Sequence, residues 1–327
     1  MYVLNLLCLR NLPKPSLFVS VVAAMASVPE MIDDDISVNA NPLMVTEAWL
    51  ESHCVLEQQL GAGSFSNVHL CSHKGEWRAF KIIKRNDFLK FQTRSKTRLT
   101  LRDELNVMTI LKHVNVLMLC EWFETVSSIY LVLAWQQGGD LLQSLLTDKF
   151  FEESQARNCF TEIIQAVAYM HTKAIVHRDL KAENILLTTS NRAIMHPKIA
   201  DFGLALQIKR HGVCRTVCGT PLYMAPEILM LANNRDINEL QVGYATEVDM
   251  WSLGVLLYIL LSAQPPFYEN ENLEEQILQA KYEFDGLVWT RISSTATDLI
   301  NCLMRVNPAA RLRAEQAFEH PWILSSA

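Results

Sequence analysis

Eight consecutive residues, His177-Arg178-Asp179-Leu180-Lys181-Ala182-Glu183-Asn184, place a carboxylate, an ammonium and an amide within one short turn. Moving a phosphoryl group onto a hydroxyl needs three things: a carboxylate beside the attacking oxygen, a cation on the terminal phosphate, and an oxygen ligand for a metal. Asp179, Lys181 and Asn184 offer these in order. Seventeen residues after Asn184 comes Asp201-Phe202-Gly203, behind the apolar pair Ile199-Ala200. A carboxylate at a strand end followed by glycine suits an Mg²⁺ ligand that must come close to its ion. Either turn alone could arise by chance; both in this order at a workable spacing point to one phosphoryl-transfer site.

Two upstream features fit that chemistry. Leu60-Gly61-Ala62-Gly63-Ser64-Phe65-Ser66-Asn67-Val68 carries glycines that let the backbone fold closely over a phosphate chain, where a Cβ would intrude. Two glycines alone describe a plain hairpin equally well. Lys81 lies thirteen residues after Val68 in a strand-like run. An unpaired interior ammonium is costly, so it needs a partner. Glu104, on a helix-like stretch, can supply one and so place Lys81 to hold the α- and β-phosphates. An isolated surface pair of this kind would be worth only about 0–1 kcal/mol.

The elements that must position these residues divide the chain. Val68–Cys71, Arg78–Ile83 and Ile129–Leu133 read as strands, interrupted by a helix-like stretch from Leu101 to Leu111. Beyond Trp135 the pattern turns helical, with Phe160, Ile163, Ile164 and Val167 at helical spacing. The expected fold class is α+β and bilobal: a small β-rich lobe with one helix at residues 54–134, and a larger α-helical lobe at 135–322. Residues 1–53 are expected to be a flexible lead-in and 323–327 a short tail. Val248–Ser262 is apolar but shorter than a membrane span and opens on a charged residue, so it reads as a helix buried in a large core.

The bulk properties set limits. The chain has 327 residues, 50% of them hydrophobic, and a net charge of -6. An acidic chain argues against nucleic-acid binding. Eight cysteines lack zinc-ligand spacing; Cys214 and Cys218 are the nearest pair, and reduced thiols of an intracellular protein are expected. Ser16–Ala26 is apolar, preceded by Arg10 and Lys14, and has the look of a signal-peptide core. Secretion conflicts with the downstream chemistry, so a short apolar tail is the expectation there. The basic residues between Arg78 and Arg102 read as a solvated face, with a docking patch for an acidic or phosphorylated segment as the functional alternative.

The motif set resembles that of the eukaryotic protein kinases over about residues 54–322. Ala225-Pro226-Glu227 follows Asp201-Phe202-Gly203 at an activation-segment distance, Asp249-Met250-Trp251-Ser252-Leu253-Gly254 resembles the helix-F signature, and Arg311 resembles the late arginine that pairs with the glutamate of the first of these. The resemblance implies a bilobal kinase fold using ATP and Mg²⁺. Residues 60–68 would cover ATP and Lys81 would pair with Glu104. Asp179 would be the catalytic base and Lys181 would steady the γ-phosphate, while Asn184 and Asp201 would hold Mg²⁺. Val68, Ala79 and Leu186 would sandwich adenine, Leu133 would be the gatekeeper, Ala134-Trp135 the hinge, and Asp140 a ribose contact. His177, Phe202, Met108 and Leu119 look like the stack assembled in active kinases. The chain departs from the family pattern at Ser66, where a third glycine is usual, at Ala134, where an acid is usual, and at Ala182, where proline is usual.

Lys181 and Gly219-Thr220-Pro221 resemble the serine/threonine branch. The segment from Gln276 to Trp322 resembles the calmodulin-dependent-kinase group, and within it Lys281-Tyr282-Glu283-Phe284 is similar to the checkpoint kinases. That resemblance implies protein substrates, with Asp140 and Glu183 reading an arginine three residues before the target. It also implies activation by phosphorylation of Thr216, whose phosphate could pair with Arg178. A catalytically silent, kinase-shaped scaffold is the rival expectation; it would normally lack Lys81, Asp179 or Asp201, and all three are present. Nothing in the sequence sets the oligomeric state.

Overall fold

The computed structural model describes residues 43–63, 66–95, 100–148, 151–208, 212–233, 243–268 and 272–325. The smaller lobe is a six-stranded sheet. Its strands are β1 (Leu43–Met44), β2 (Cys54–Ala62), β3 (Ser66–His73), β4 (Glu76–Lys84), β5 (Leu119–Glu124) and β6 (Ser128–Ala134). The spatial order is β1-β5-β6-β4-β3-β2, antiparallel except where β1 lies parallel to β5. The β4–β6 register sets Ala79 opposite Leu133 and Lys81 opposite Leu131, so the period-two alternation sends Ala79, Lys81 and Leu133 to one face.

Helix α1 (Glu47–His53) precedes β2, and α2 (Arg85–Ser95) and α3 (Leu101–Ile110) follow β4. The stretch expected to be helical from Leu101 is α3. Thr100 begins it with a capping box: its hydroxyl accepts the Asp103 N–H, and the Asp103 carboxylate accepts the Thr100 N–H. That start phases the helix so that Glu104 and Met108 are buried.

Residues 43–53 are not a flexible lead-in. Val45 N–H donates to Glu124 O at 3.0 Å, and the Glu47 carboxylate accepts from Ser127 and Tyr130. Trp49 packs edge-on to Phe123. Together Val45, Trp49 and Leu50 cover a second core on the sheet's outer face, built from Cys54, Cys71, Phe80, Phe123 and Val132. Burying a side chain such as Leu50 is worth about 1.5–3 kcal/mol, which is enough to hold a seven-residue helix that would be marginal alone. The Ser16–Ala26 run lies outside the described residues.

The larger lobe contains α4 (Leu141–Asp148), α5 (Glu153–Thr172), α6 (Pro226–Asn233), α7 (Glu247–Ser262), α8 (Leu273–Leu278), α9 (Ser294–Leu303), α10 (Ala314–Phe318) and α11 (Pro321–Leu324). Beyond Glu247 and Asp249 in its first turn, helix α7 is almost wholly apolar, and it is buried from Val248 to Ser262, the central pillar of the lobe. No helix among the described residues is long and apolar enough to cross a membrane. Two small antiparallel pairs, β7 (Ile175–Val176) with β10 (Leu206–Gln207) and β8 (Ile185–Leu187) with β9 (Pro197–Ile199), frame the loops that hold His177–Asn184 and Asp201–Gly203. Ile323 of α11 is buried, so the lobe runs into the segment expected to be a tail.

Candidate active site

Lys81 leaves β4 between two carboxylates. Its Nζ lies 2.6 Å from Glu104 Oε1 and 2.8 Å from Asp201 Oδ1. Burial works against the ammonium, but Asp201 and Glu104 more than offset it, and the pKa of Lys81 lies above the ordinary lysine value. The same ammonium pulls Asp201 down to about 2. Glu104 is pushed up by burial despite its bond to Lys81. About half of the Asp201 side chain is exposed to the cleft, so it keeps one carboxylate oxygen for a ligand.

The loop between β7 and β8 is held from below by Asp249, which is fully buried. Its Oδ1 accepts the Arg178 N–H and its Oδ2 the His177 N–H, both at 2.9 Å, and His171 Nε2 bonds the latter oxygen. Burial opposes the Asp249 charge, but the bonds from His171 and His177 win and hold its pKa below the usual range. Clamped this way, Arg178 sits at φ 70°; Asp201, which the clamp does not touch, sits at φ 58°. Left-handed backbone at non-glycine residues costs about 1–3 kcal/mol each and gathers at functional sites.

Above this base Asp179, Lys181, Asn184 and Thr220 meet. Asp179 Oδ2 lies 2.9 Å from Lys181 Nζ and 3.1 Å from Asn184 Nδ2. Asp179 Oδ1 accepts the Thr220 hydroxyl at 2.7 Å and the Thr220 N–H at 2.9 Å, and Lys181 Nζ donates to the Thr220 hydroxyl at 2.7 Å. The Asn184 amide nitrogen is spent on Asp179, which leaves its carbonyl oxygen available as a ligand. With an oxygen of Asp201 it makes a hard, all-oxygen donor set of the kind Mg²⁺ takes.

The roof and hinge are less tightly specified. A Cβ at Gly61 would meet open space, so the protein itself does not demand glycine there. Gly63 N–H closes the loop on Ser66 O at 2.7 Å. Ser66 is not among the positive-φ residues, so serine is tolerated where the family places glycine. Ser64 and Phe65 lie outside the described residues, and Leu60 and Ala62 are exposed on the strand beside them. Val68 is half-buried, while Ala79 and Leu133 are buried; Leu186 bridges to Asp140 in the floor. The Ala134 N–H is taken by Met118 O. The Trp135 ring packs edge-on to Trp77, so what it can offer the cleft is backbone. Gly138 is required by close approach: a Cβ there would lie 2.5 Å from the Thr189 backbone. Asp140 caps α4 by accepting the Gln143 N–H at 2.7 Å. His177 and Phe202 stack edge-on at 5.1 Å in one core with Met108 and Leu119.

Residues 54–323 match the protein kinase domain family. The chain belongs to the protein kinase family. It is 38% identical over 274 residues to myosin light chain kinase A of Dictyostelium discoideum, an alignment covering 83% of this chain and 88% of that protein. It is 38% identical over 278 residues to human calcium/calmodulin-dependent protein kinase type IV, covering 83% and 54%. It is 37% identical over 286 residues to mouse serine/threonine-protein kinase DCLK3, covering 86% and 34%. The chain thus spans most of the first and about half or less of the others. It is a serine/threonine protein kinase of the calmodulin-dependent-kinase group.

This kinase therefore brings Lys81, Glu104 and Asp201 into one cluster and Asp179, Lys181, Asn184 and Thr220 into another. Glu183 lies below them with Oε2 buried and without a protein partner, and burial raises its pKa. Thr216 does not reach Arg178 directly: Arg178 Nε donates to Leu204 O at 2.6 Å and Nη1 to the Tyr244 hydroxyl at 3.4 Å. Sequence reasoning passed over Asp249 and Tyr244 as site residues. The signal for Asp249 was a charge opening an otherwise apolar helix; a lone tyrosine gave none. Outside the cleft, Asp298, Cys302 and His320 could together hold a metal ion. However, His320 Nδ1 accepts the Trp322 N–H, which puts the ring proton on Nε2 facing Asp298 and leaves no lone pair for a metal.

Proposed function

We propose that this kinase transfers the γ-phosphoryl group of ATP, with Mg²⁺, to serine or threonine hydroxyls in protein segments with an arginine three residues before the target. Asp179 accepts the proton of the attacking hydroxyl. Lys181 lies beside it, where it steadies the terminal phosphate. Asn184 and Asp201 hold the metal, and Lys81, fixed by Glu104, holds the inner phosphates. The metal, when bound, neutralises charge on the phosphate oxygens. Residues 60–68 with Ala79, Leu133, the Trp135 backbone, Asp140 and Leu186 form the nucleotide's enclosure.

The arginine preference rests on Glu183. A carboxylate oxygen buried with no partner is costly, and a guanidinium delivered by the substrate would repay that cost. Asp140 contributes negative charge at the same place. A positional peptide library read with wild type, Glu183→Gln and Asp140→Asn tests this. The expected result is an arginine preference that both variants weaken; a flat profile at that position in the wild type refutes it. The chemistry fits an intracellular signalling enzyme, and phosphorylation of Thr216 would bring charge to Arg178, whose Nη2 is buried without a partner.

A further inference from the structure

Tyr244 lies between α6 and α7, outside every catalytic motif, yet it is built into the activation segment. It exchanges two backbone hydrogen bonds with Cys214, at 2.7 and 2.9 Å, so the segment runs as a short antiparallel partner to it. Gly243 just before it has no room for a Cβ, which would run into Val213. Tyr244 and Arg178 are each only 4% exposed. The Tyr244 hydroxyl donates to Thr216 O at 2.5 Å and accepts from Arg178 Nη1 at 3.4 Å, with Cys218 Sγ 3.7 Å away. One donor and one acceptor capacity are thus both used, on the segment and on the catalytic-loop arginine.

We propose that the Tyr244 hydroxyl is a positioning group that ties Arg178 to the activation segment without a phosphate, so that basal phosphoryl transfer does not wait for modification of Thr216. The linkage runs to the reacting centre at both ends. Arg178 adjoins Asp179, and its backbone is pinned by Asp249. Four residues beyond Thr216, Thr220 bonds Asp179 Oδ1 through both its N–H and its hydroxyl. Between them Gly219, at φ 114°, passes so close to Arg178 O that a Cβ would lie 2.7 Å from it. Loss of the hydroxyl would free Thr216 O and Arg178 Nη1 together and loosen the frame in which Thr220 holds Asp179. A phosphate on Thr216 would find Arg178 Nη2 still unpartnered, and would reinforce this linkage rather than create it.

The inference rests on the reading of Asp179 and Arg178 above, and the test separates the two. The full chain is treated with phosphatase, shown by intact mass to be unmodified, and compared with the same chain carrying genetically encoded phosphothreonine at 216. Unphosphorylated wild type is expected to keep kcat within about fivefold of the phosphorylated form, since the phosphate adds to an existing linkage. Unphosphorylated Tyr244→Phe, which keeps the ring and loses only the hydroxyl, should lose about tenfold in kcat, with KM for ATP little changed because Lys81 and Glu104 are untouched. Phosphothreonine at 216 should restore most of that loss, which a misfolded variant could not do. The proposal is overturned if unphosphorylated wild type is silent until phosphorylated, if Tyr244→Phe keeps full kcat, or if phosphothreonine fails to rescue it. If even phosphorylated wild type is no faster than Asp201→Asn, the reading of the catalytic cleft falls as well.

Discussion

The glutamate that opens α6 gives the clearest quantitative test of how the activation segment is anchored. The Arg311 side chain is completely buried, and its Nη1 and Nη2 meet the two Glu227 oxygens at 2.7 and 2.9 Å. Nη1 also donates to Glu247 O at 2.6 Å, Nε donates to Arg305 O at 3.0 Å, and the guanidinium lies over Trp251. Glu227→Ala would leave that guanidinium buried without its counter-charge, a loss of about 3–5 kcal/mol for such pairs. The two carbonyls and the Trp251 ring remain, so the lower end, about 3 kcal/mol, is expected. For a domain of this size that is a fall in Tm of about 6 °C. A double variant, Glu227→Leu with Arg311→Met, removes both charges and should recover much of the loss. Thermal melts of the three proteins read the outcome. A fall below about 2 °C for Glu227→Ala would mean a pair worth no more than a surface salt bridge, and the reasoning from burial would be refuted. A double variant no more stable than the single one would refute it equally.

Asp201→Asn should lower phosphoryl transfer from radiolabelled ATP by about a thousandfold or more, since charge placement supplies most of the rate, while circular dichroism stays native. The Glu183 carboxyl, raised by burial, takes up its proton at higher pH than an ordinary glutamate. Arginine discrimination should therefore fade as pH is lowered from about 8 toward about 5, read as the kcat/KM ratio of matched arginine and alanine peptides; a ratio constant over that range would contradict the assignment. Gly219→Ala forces a side chain into a left-handed position against Arg178 O, and should cost about 1–3 kcal/mol in a denaturant melt together with a fall in kcat.

The groups proposed to touch a nucleotide or hydroxyl stand out in the sequence because they sit in two short turns, His177–Asn184 and Asp201–Gly203, where residue type and spacing together suggest the chemistry. The strands and the helix from Leu101 were legible because alternation and capping are local. Three features were not, for a shared physical reason: their partners are distant in sequence. Asp249 pays for its burial with bonds to His171, His177 and Arg178, more than seventy residues upstream. Trp49 and Leu50 are worth burying only because β5 and β6 bring Phe123 and Val132 beneath them. Tyr244 acts through an oxygen of Thr216 and a nitrogen of Arg178 that no local pattern relates.

That division bears on the departures from the family pattern. Ser66 and Ala134 act through backbone groups, and the structure keeps those groups in place: Ser66 needs no positive φ, and the Ala134 N–H still closes on Met118 O. Ala182 is fully buried in the turn that ends at Asn184, whose N–H bonds Lys181 O at 3.0 Å, so the turn closes without proline's fixed φ. None of the three changes a group that carries charge toward the phosphates. On the proposed reading, side-chain substitutions of this kind leave the reaction intact so long as Lys81 keeps its distances to Glu104 and Asp201, and Asp179 its distance to Thr220.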